Sequence, residues 1–446
     1  MELTSNDLAE KDIKKLLIKQ SIPSSVGILF MSVNVLIDTI FVGRWIGSLA
    51  IAALSVVMPI TFFISSLGMA VGVGGSSVLS RALGSNDLDK ARATFAHQLM
   101  MTLFVASVFV VAGLLFSDQI LYAFGAAGKI TQPAKEFFFP MVLAVPFQAL
   151  IMMGNNVIRA EDKSRHAMIG MIISTAANLL LDVLFIKVLG MGVLGAAIAT
   201  GSSFVLSFLY VLWFFIYRSE LRLTWASFRW NKKLSGEILS MSFVTFARQG
   251  VISVLNVLLN HTLFAQGGEA AITIYGIVSR MLMFALFPVL GVTQGFLPIA
   301  GYNYGAGNKS RVRETVRLSI LYAGGLAILI FVVIMVFATP IVSIFTTDAQ
   351  VIKETPGALR WVFAASPIIA VQLIGAAYFQ AAGKATKALL LTLTKQGFFL
   401  IPLVLILPQF FGIFGVWVAF PIADVLSTLV TGIFLKKEMA TNLKET

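Results

Sequence analysis

Cysteine is absent from this chain of 446 residues. Disulfides, thiol nucleophiles, iron–sulfur clusters and cysteine-ligated zinc are thereby excluded. Histidine is scarce: His97, His166 and His261 lack metal-ligand spacing and read as incidental. Charge is thin too, at 12% of residues against about 25% in a soluble domain. No Walker motif occurs. The VGVGGSS run at 71–77 follows an apolar stretch rather than a strand and lacks a Lys-Ser/Thr, so it reads as close helix packing. What abounds is apolar surface, 58% of residues with a mean hydropathy of +0.90. No single water-soluble core buries that much. A bilayer does, at about 20 apolar residues per helical crossing.

The first twenty residues are charged throughout, without the apolar stretch and cleavage site of a leader, so the first helix is expected to act as an uncleaved insertion signal. Apolar stretches follow near 22–43, 50–73, 95–117, 137–158, 167–189, 193–217, 240–263, 271–300, 316–338, 358–380, 387–409 and 413–435. They are long and continuously apolar, which predicts an all-α integral membrane protein of twelve transmembrane helices rather than a barrel. One alternate set of loops and termini holds 24 Lys and Arg, the other six, and the spans hold Arg248, Arg280 and Lys395. That asymmetry puts both termini in the cytoplasm. It also accounts for most of the net charge of +12, since no loop is large enough for a nucleic-acid site. The longest loop, 218–239, carries Trp225, Phe228 and Trp230 among basic residues and reads as an interfacial helix on anionic lipid.

The halves match at an offset of 221: Gly47, Gly74, Gly84, Arg92 and Lys163 find Gly268, Gly295, Gly305, Arg313 and Lys384. A one-residue gap then brings Gly192 onto Gly412. Six spans per half give a parallel 6+6 repeat: a lobe over 1–217, a cytoplasmic connector over 218–239 and a lobe over 240–446. Two like six-helix bundles around a central cleft imply alternate opening to either side, the architecture of a transporter.

Ionisable groups within spans are costly and mark function first. Asp38 follows Asn34 by one helical turn, and Asp182 follows Asn178 likewise, so each Asn–Asp pair shares a helix face. Each Asp lies roughly 22 Å along its helix from the cytoplasmic end, and Thr200 reaches a similar depth. Neighbouring carboxylates in a low dielectric cannot both be charged cheaply, so the pair is suited to hold a proton or Na⁺. The competing assignment is interhelical hydrogen bonding, which fits isolated Asn and Thr best. Asp424 lacks such a partner pattern; pairing with Lys395 or Arg248 would make it structural. Glu161 and Asp162 fall among Arg159, Lys163 and Arg165 and read as a solvated ion-pair cluster. Pro23 permits a bend early in the first helix. Met281, Met283, Phe284 and Phe287 are candidates to line an apolar substrate cleft, although simple packing or lipid contact is the commoner role of such residues.

The twelve spans, the repeat, IDTIFVG at 37–43, NLLLD at 178–182 and QGFLPIAGYNYGAGN at 294–308 resemble the multidrug and toxic compound extrusion (MATE) family over essentially the whole chain. The resemblance implies a plasma-membrane exporter, not an enzyme, that expels amphipathic cationic drugs in exchange for H⁺ or Na⁺. It implies cation-coupling roles for Asp38, Asp182, Asn178 and Thr200, with Pro23 as the bending proline. Asn34 stands where the family varies. Sodium, if used, would sit at Asp38, Asn178, Asp182 and Thr200; no other metal or cofactor is implied, and a monomer is expected. Another branch carries acids in its seventh and tenth spans. Here those spans hold no internal carboxylate, which places coupling on the first half, and the fewest ligands are needed if the ion is H⁺. A lipid-linked glycan flippase shares the wider architecture but requires a strongly basic cleft. A membrane enzyme would need a metal or nucleophile constellation, and a channel a ring of repeated pore segments.

Overall fold

The computed structural model describes residues 7–346 and 348–443. Among these, all regular structure is helical. Long apolar helices run over Ile13–Trp45 (α1), Leu49–Gly84 (α2), Leu88–Leu115 (α3), Gly128–Ala160 (α4), Ser164–Val188 (α5) and Gly192–Tyr217 (α6). A continuous helical stretch, Lys232–Gly305, then breaks at Gly268 (φ 63°, ψ −151°), which only glycine adopts without strain. It therefore comprises two crossings, 232–267 (α7) and 269–305 (α8). Lys309–Phe345 (α9), Ala349–Ala381 (α10), Ala385–Phe411 (α11) and Ile413–Thr441 (α12) complete the twelve expected spans.

Local chemistry sets these boundaries. The Asp87 side chain accepts from the Lys90 amide at 2.9 Å and starts α3. At the same offset of 221, Asn308 accepts from Arg311 N at 3.2 Å and starts α9. Each satisfies one of the donors a helix start leaves open. The repeat extends to backbone conformation. Positive φ recurs in the pairs Gly47/Gly268, Asn86/Gly307 and Asp162/Gly383, and in Gly192/Gly412 after the gap. Corresponding turns thus have the same handedness even where Asn or Asp replaces glycine.

The helices form two compact units, one of residues 26–242 and one of 7–25 with residues from 243 onward. In the first, Val57, Phe137, Phe138, Met141 and Val142 belong to one buried apolar cluster. Lipid tails are as apolar as these side chains, so close packing rather than water exclusion must favour association. The glycines serve this end. A Cβ on Gly68 would lie 2.8 Å from Ala149 Cα, and one on Gly72 2.9 Å from Met153 Cα, so α2 and α4 touch backbone to backbone. Within the VGVGGSS run, Gln98 Nε2 reaches the Val71 and Gly72 carbonyls, both at 3.1 Å. That stretch is a helix-packing surface, as its position after a span suggested.

Apolar clusters of the second unit include one around Leu259, Val278 and Leu359 and another around Phe296, Tyr378 and Phe379. Near one helix end, Glu438 accepts from Tyr378 Oη at 3.3 Å and pairs with Lys384 and Lys387. In the membrane stretch, Lys395 Nζ lies 2.5 Å from Asp424 Oδ1. The partner of Asp424 is thus Lys395 rather than Arg248.

Two expectations need correction. The connector is not a helix over 218–239: it holds one short turn, Trp225–Phe228, before α7 begins at Lys232. Thr224 and Ser227 cap that turn reciprocally, and Asn231 Oδ1 accepts from the Lys233 and Leu234 amides, so each helical segment is closed off locally. Nor are Glu161 and Asp162 solvated; they are 8% and 6% exposed. Glu161 Oε1 accepts from Ser219 Oγ at 2.6 Å and Oε2 from the Glu220 amide at 3.0 Å, which draws the carboxylate under the start of the connector. Burial pushes the Glu161 carboxyl up to about 7 from its ordinary 4.5, against the lowering effect of those hydrogen bonds and of Lys163.

Candidate functional site

The first unit encloses a cavity of about 140 Å³ between α1, α2, α4, α5 and α6. Its apolar wall includes Met31, Met58, Met141, Met152 and Met171 with Phe62, Phe137 and Phe204. Methionine adapts to varied shapes and makes favourable sulfur–aromatic contacts, so such a wall can seat different flat molecules. Its polar part includes Asn34, Asp38, Gln148, Asn155, Asn178 and Thr200, with Thr61 from α2, so all five helices contribute. Helical spacing explains the local groupings: Asn34 and Asp38 are one turn apart on α1, and Asn178 precedes Asp182 by one turn on α5.

Asp38 is 6% exposed and forms part of the wall; Asp182 is wholly buried and does not. The two carboxyls interact directly, each the other's acidic neighbour. Apart from each other, both oxygens of Asp182 and Oδ1 of Asp38 have no hydrogen-bond partner among the described residues. Asn178 Nδ2 donates to Thr200 Oγ1 at 3.3 Å, and Thr200 donates onward to the Ala196 carbonyl at 3.0 Å. Asn178 Oδ1, however, is left without a partner. A segment with wider, π-helical turns, Val183–Val188, starts immediately after Asp182. Such turns often mark functional positions in otherwise regular helices.

The predicted residues Asp38, Asp182, Asn178, Asn34 and Thr200 are thus brought together, all but Asp182 on the cavity surface. Pro23 lies within α1, which stays helical through it. Met281, Met283, Phe284 and Phe287 belong to the second unit. There Phe284 and Phe287 pack edge to face at 5.9 Å, Met283 is half-exposed, and none of the four lines this cavity.

Gln148 and Asn155 escaped the sequence reading. Asn155 is buried with neither side-chain atom hydrogen-bonded, and Gln148 Oε1 is likewise unpaired. Unmatched amides beside an acid and an apolar wall are what a ligand with both polar and aromatic parts requires. The signal available was the run MGNNVIRA, two adjacent amides inside an apolar span. Only the rotation of α4 about its axis tells which of the two faces the cavity. Asn156 instead donates to the Met152 carbonyl at 2.8 Å.

Comparisons with known proteins agree with this architecture. The chain is 27% identical over 410 residues to the multidrug export protein MepA of Staphylococcus aureus (strain N315), covering 92% of this chain and 90% of that one. A solved structure of a multidrug resistance MATE family transporter of the MOP superfamily, in its outward-facing conformation, superposes with a TM-score of 0.93 at 25% identity, over 99% of each chain. A crystal structure of MATE in complex with MaL6 shares the fold, with a TM-score of 0.94, 24% identity and coverage of 99% of this chain and all of that one. The MatE family pattern matches twice, over 23–184 and 243–406, once in each half of the repeat, and this multi-pass membrane protein therefore belongs to the MatE family of multidrug exporters.

Proposed function

We propose that the protein exports amphipathic organic cations across the plasma membrane, both termini cytoplasmic, by exchange with an inward-moving H⁺ or Na⁺. The observation that carries this reading is the placement of Asp38: one carboxylate set in a wall of methionine and aromatic side chains, with a second carboxylate buried behind it. A drug cation gains charge complementarity only while Asp38 is ionised. A proton or Na⁺ taken up by the pair removes that attraction. Drug and coupling ion therefore exclude one another at a single group, which is the coupling an exchanger needs. The unpaired amide oxygens of Asn34, Gln148 and Asn178 can accept from a protonated amine or ligate Na⁺. Alternating access, in which the cavity faces one side and then the other, turns this exclusion into net export. One chain holds the full set of groups, so a monomer suffices.

Purified protein in liposomes, with ΔpH and ΔpNa imposed separately, tests the proposal. Movement of a fluorescent organic cation against its gradient under one of the two is the expected result. Transport indifferent to both gradients, or persisting undiminished in Asp38→Asn, would overturn it.

A further inference from the structure

The connector after α6 presents a surface that the exchange chemistry does not use. Trp225 is 94% exposed and Trp230 64%, with Phe228 also exposed beside them. Arg218, Arg222, Arg229, Lys232 and Lys233 share the segment, are exposed, and form no ion pair among the described residues. Glu220, the one acid within 218–233, is paired with Lys163 at 3.2 Å.

This surface is held in place. The capped turn Trp225–Phe228 fixes the first aromatic residues. Asn231 N donates to His97 Nε2 at 3.0 Å, while His97 Nδ1 donates to the Ala93 carbonyl at 2.7 Å. The Trp230 ring stacks on His97 with centroids 5.4 Å apart. His97 supplies the level. It lies two residues before the uncharged, mostly apolar stretch 99–115 of α3, roughly 25 Å long at 1.5 Å per residue and comparable to the hydrocarbon core. Trp230 is therefore at the rim of the hydrocarbon, and the connector runs along the bilayer surface. At the same end of α6, Trp213 and Tyr217 are exposed, and Arg218 lies 5.8 Å from the Trp213 ring.

We propose that the connector is a docking surface for anionic phospholipid headgroups. Its indole rings seat among the glycerol and upper acyl groups, and its guanidinium and ammonium groups pair with lipid phosphates. Charge complementarity and membrane level together favour lipid over a soluble protein, whose binding neither requires. Aromatic rings with a polar edge suit that boundary, and basic side chains gain only from lipids of opposite sign.

Full-length protein in phosphatidylcholine vesicles, with and without phosphatidylglycerol, provides the test. The Trp225 signal is taken as the difference between wild type and Trp225→Phe. Brominated phosphatidylglycerol should quench that signal at least about twofold more than brominated phosphatidylcholine at equal mole fraction. The preference should vanish at about 1 M salt, where charge interactions are screened within a few ångströms. The combined variant Arg222→Gln, Arg229→Gln, Lys232→Gln and Lys233→Gln should abolish it as well. The salt series on the wild type keeps the test decisive if that variant inserts poorly. Equal quenching by both lipids would overturn the headgroup assignment. Absence of lipid quenching would overturn the proposal outright, whether aqueous iodide reaches Trp225 (a solvated loop) or not (a protein cover).

Discussion

Asp182 stands wholly buried behind Asp38, and of the two interacting carboxyls only Asp38 reaches the cavity wall. The pair is therefore unequal. Asp38→Asn should abolish coupled efflux and weaken binding of a cationic drug by roughly tenfold or more, the scale of one lost charged contact. Asp182→Asn should abolish coupling too, yet change drug affinity by much less, because Asp182 cannot touch the ligand. Binding isotherms for one organic cation, set beside liposome efflux for both variants, make the comparison. Equal loss of affinity in the two would show that they act as one group toward the drug.

Lys395 and Asp424 show what an acid within a span does when a base satisfies it. Removing one member leaves a buried charge alone, so Asp424→Asn should cost about 3–5 kcal/mol of stability. The double replacement Lys395→Met with Asp424→Leu should recover most of that, since a buried pair seldom outperforms well-packed apolar groups. Melting of the detergent-solubilised variants reads both effects. Efflux in the double variant should stay near wild type, which separates this pair from Asp38 and Asp182.

The contrast also shows what was legible in the sequence. Twelve crossings and the repeat could be read because each is a property of one helix or of a constant offset. Asn34 with Asp38, and Asn178 with Asp182, could be read because a spacing of four fixes a shared face before any packing is known. Gln148 and Asn155 could not, since amides in spans serve as interhelical glue as readily as ligands, and tertiary packing alone orients α4. The connector misled for a different reason. Its aromatic and basic pattern suits a helix, but Thr224, Ser227 and Asn231 spend their side chains on local backbone bonds that stop one. Glu161 misled because a run of alternating charges looks solvated, and nothing in the run reveals that Ser219 and Glu220 fold over it.

Glu161 makes stability depend on pH. Its folded carboxyl titrates at about 7 because burial disfavours the charge, whereas the ordinary value is 4.5. Between those values the folded state holds a proton that the unfolded state has released. Stability from this group is therefore complete below about pH 4.5 and falls as pH rises through 7, by about 3 kcal/mol as an upper bound. Glu161→Gln should remove this slope while keeping an acceptor for Ser219. Melting temperatures of both proteins across pH 5–8 would check it, and parallel curves would refute the assignment.

Backbone contact between α2 and α4 yields the last prediction. A side chain at Gly68 meets Ala149 Cα and the Ala149 carbonyl oxygen at 2.8 and 2.9 Å, and one at Gly72 meets the Met152 carbonyl at 3.1 Å. Main-chain atoms cannot rotate aside as a flexible side chain would, so the helices must separate. Both helices also line the cavity, through Met58 and Thr61 on one side and Gln148 and Asn155 on the other. Gly68→Val should therefore destabilise the protein by about 1–3 kcal/mol, the usual cost of overpacking, and weaken drug binding together with it. Gly236→Val is the control, since a Cβ there meets nothing within 4 Å. It should leave both melting temperature and drug affinity near wild type. If Gly68→Val melted normally with unaltered affinity, the close approach of α2 and α4 would not be what shapes the cavity.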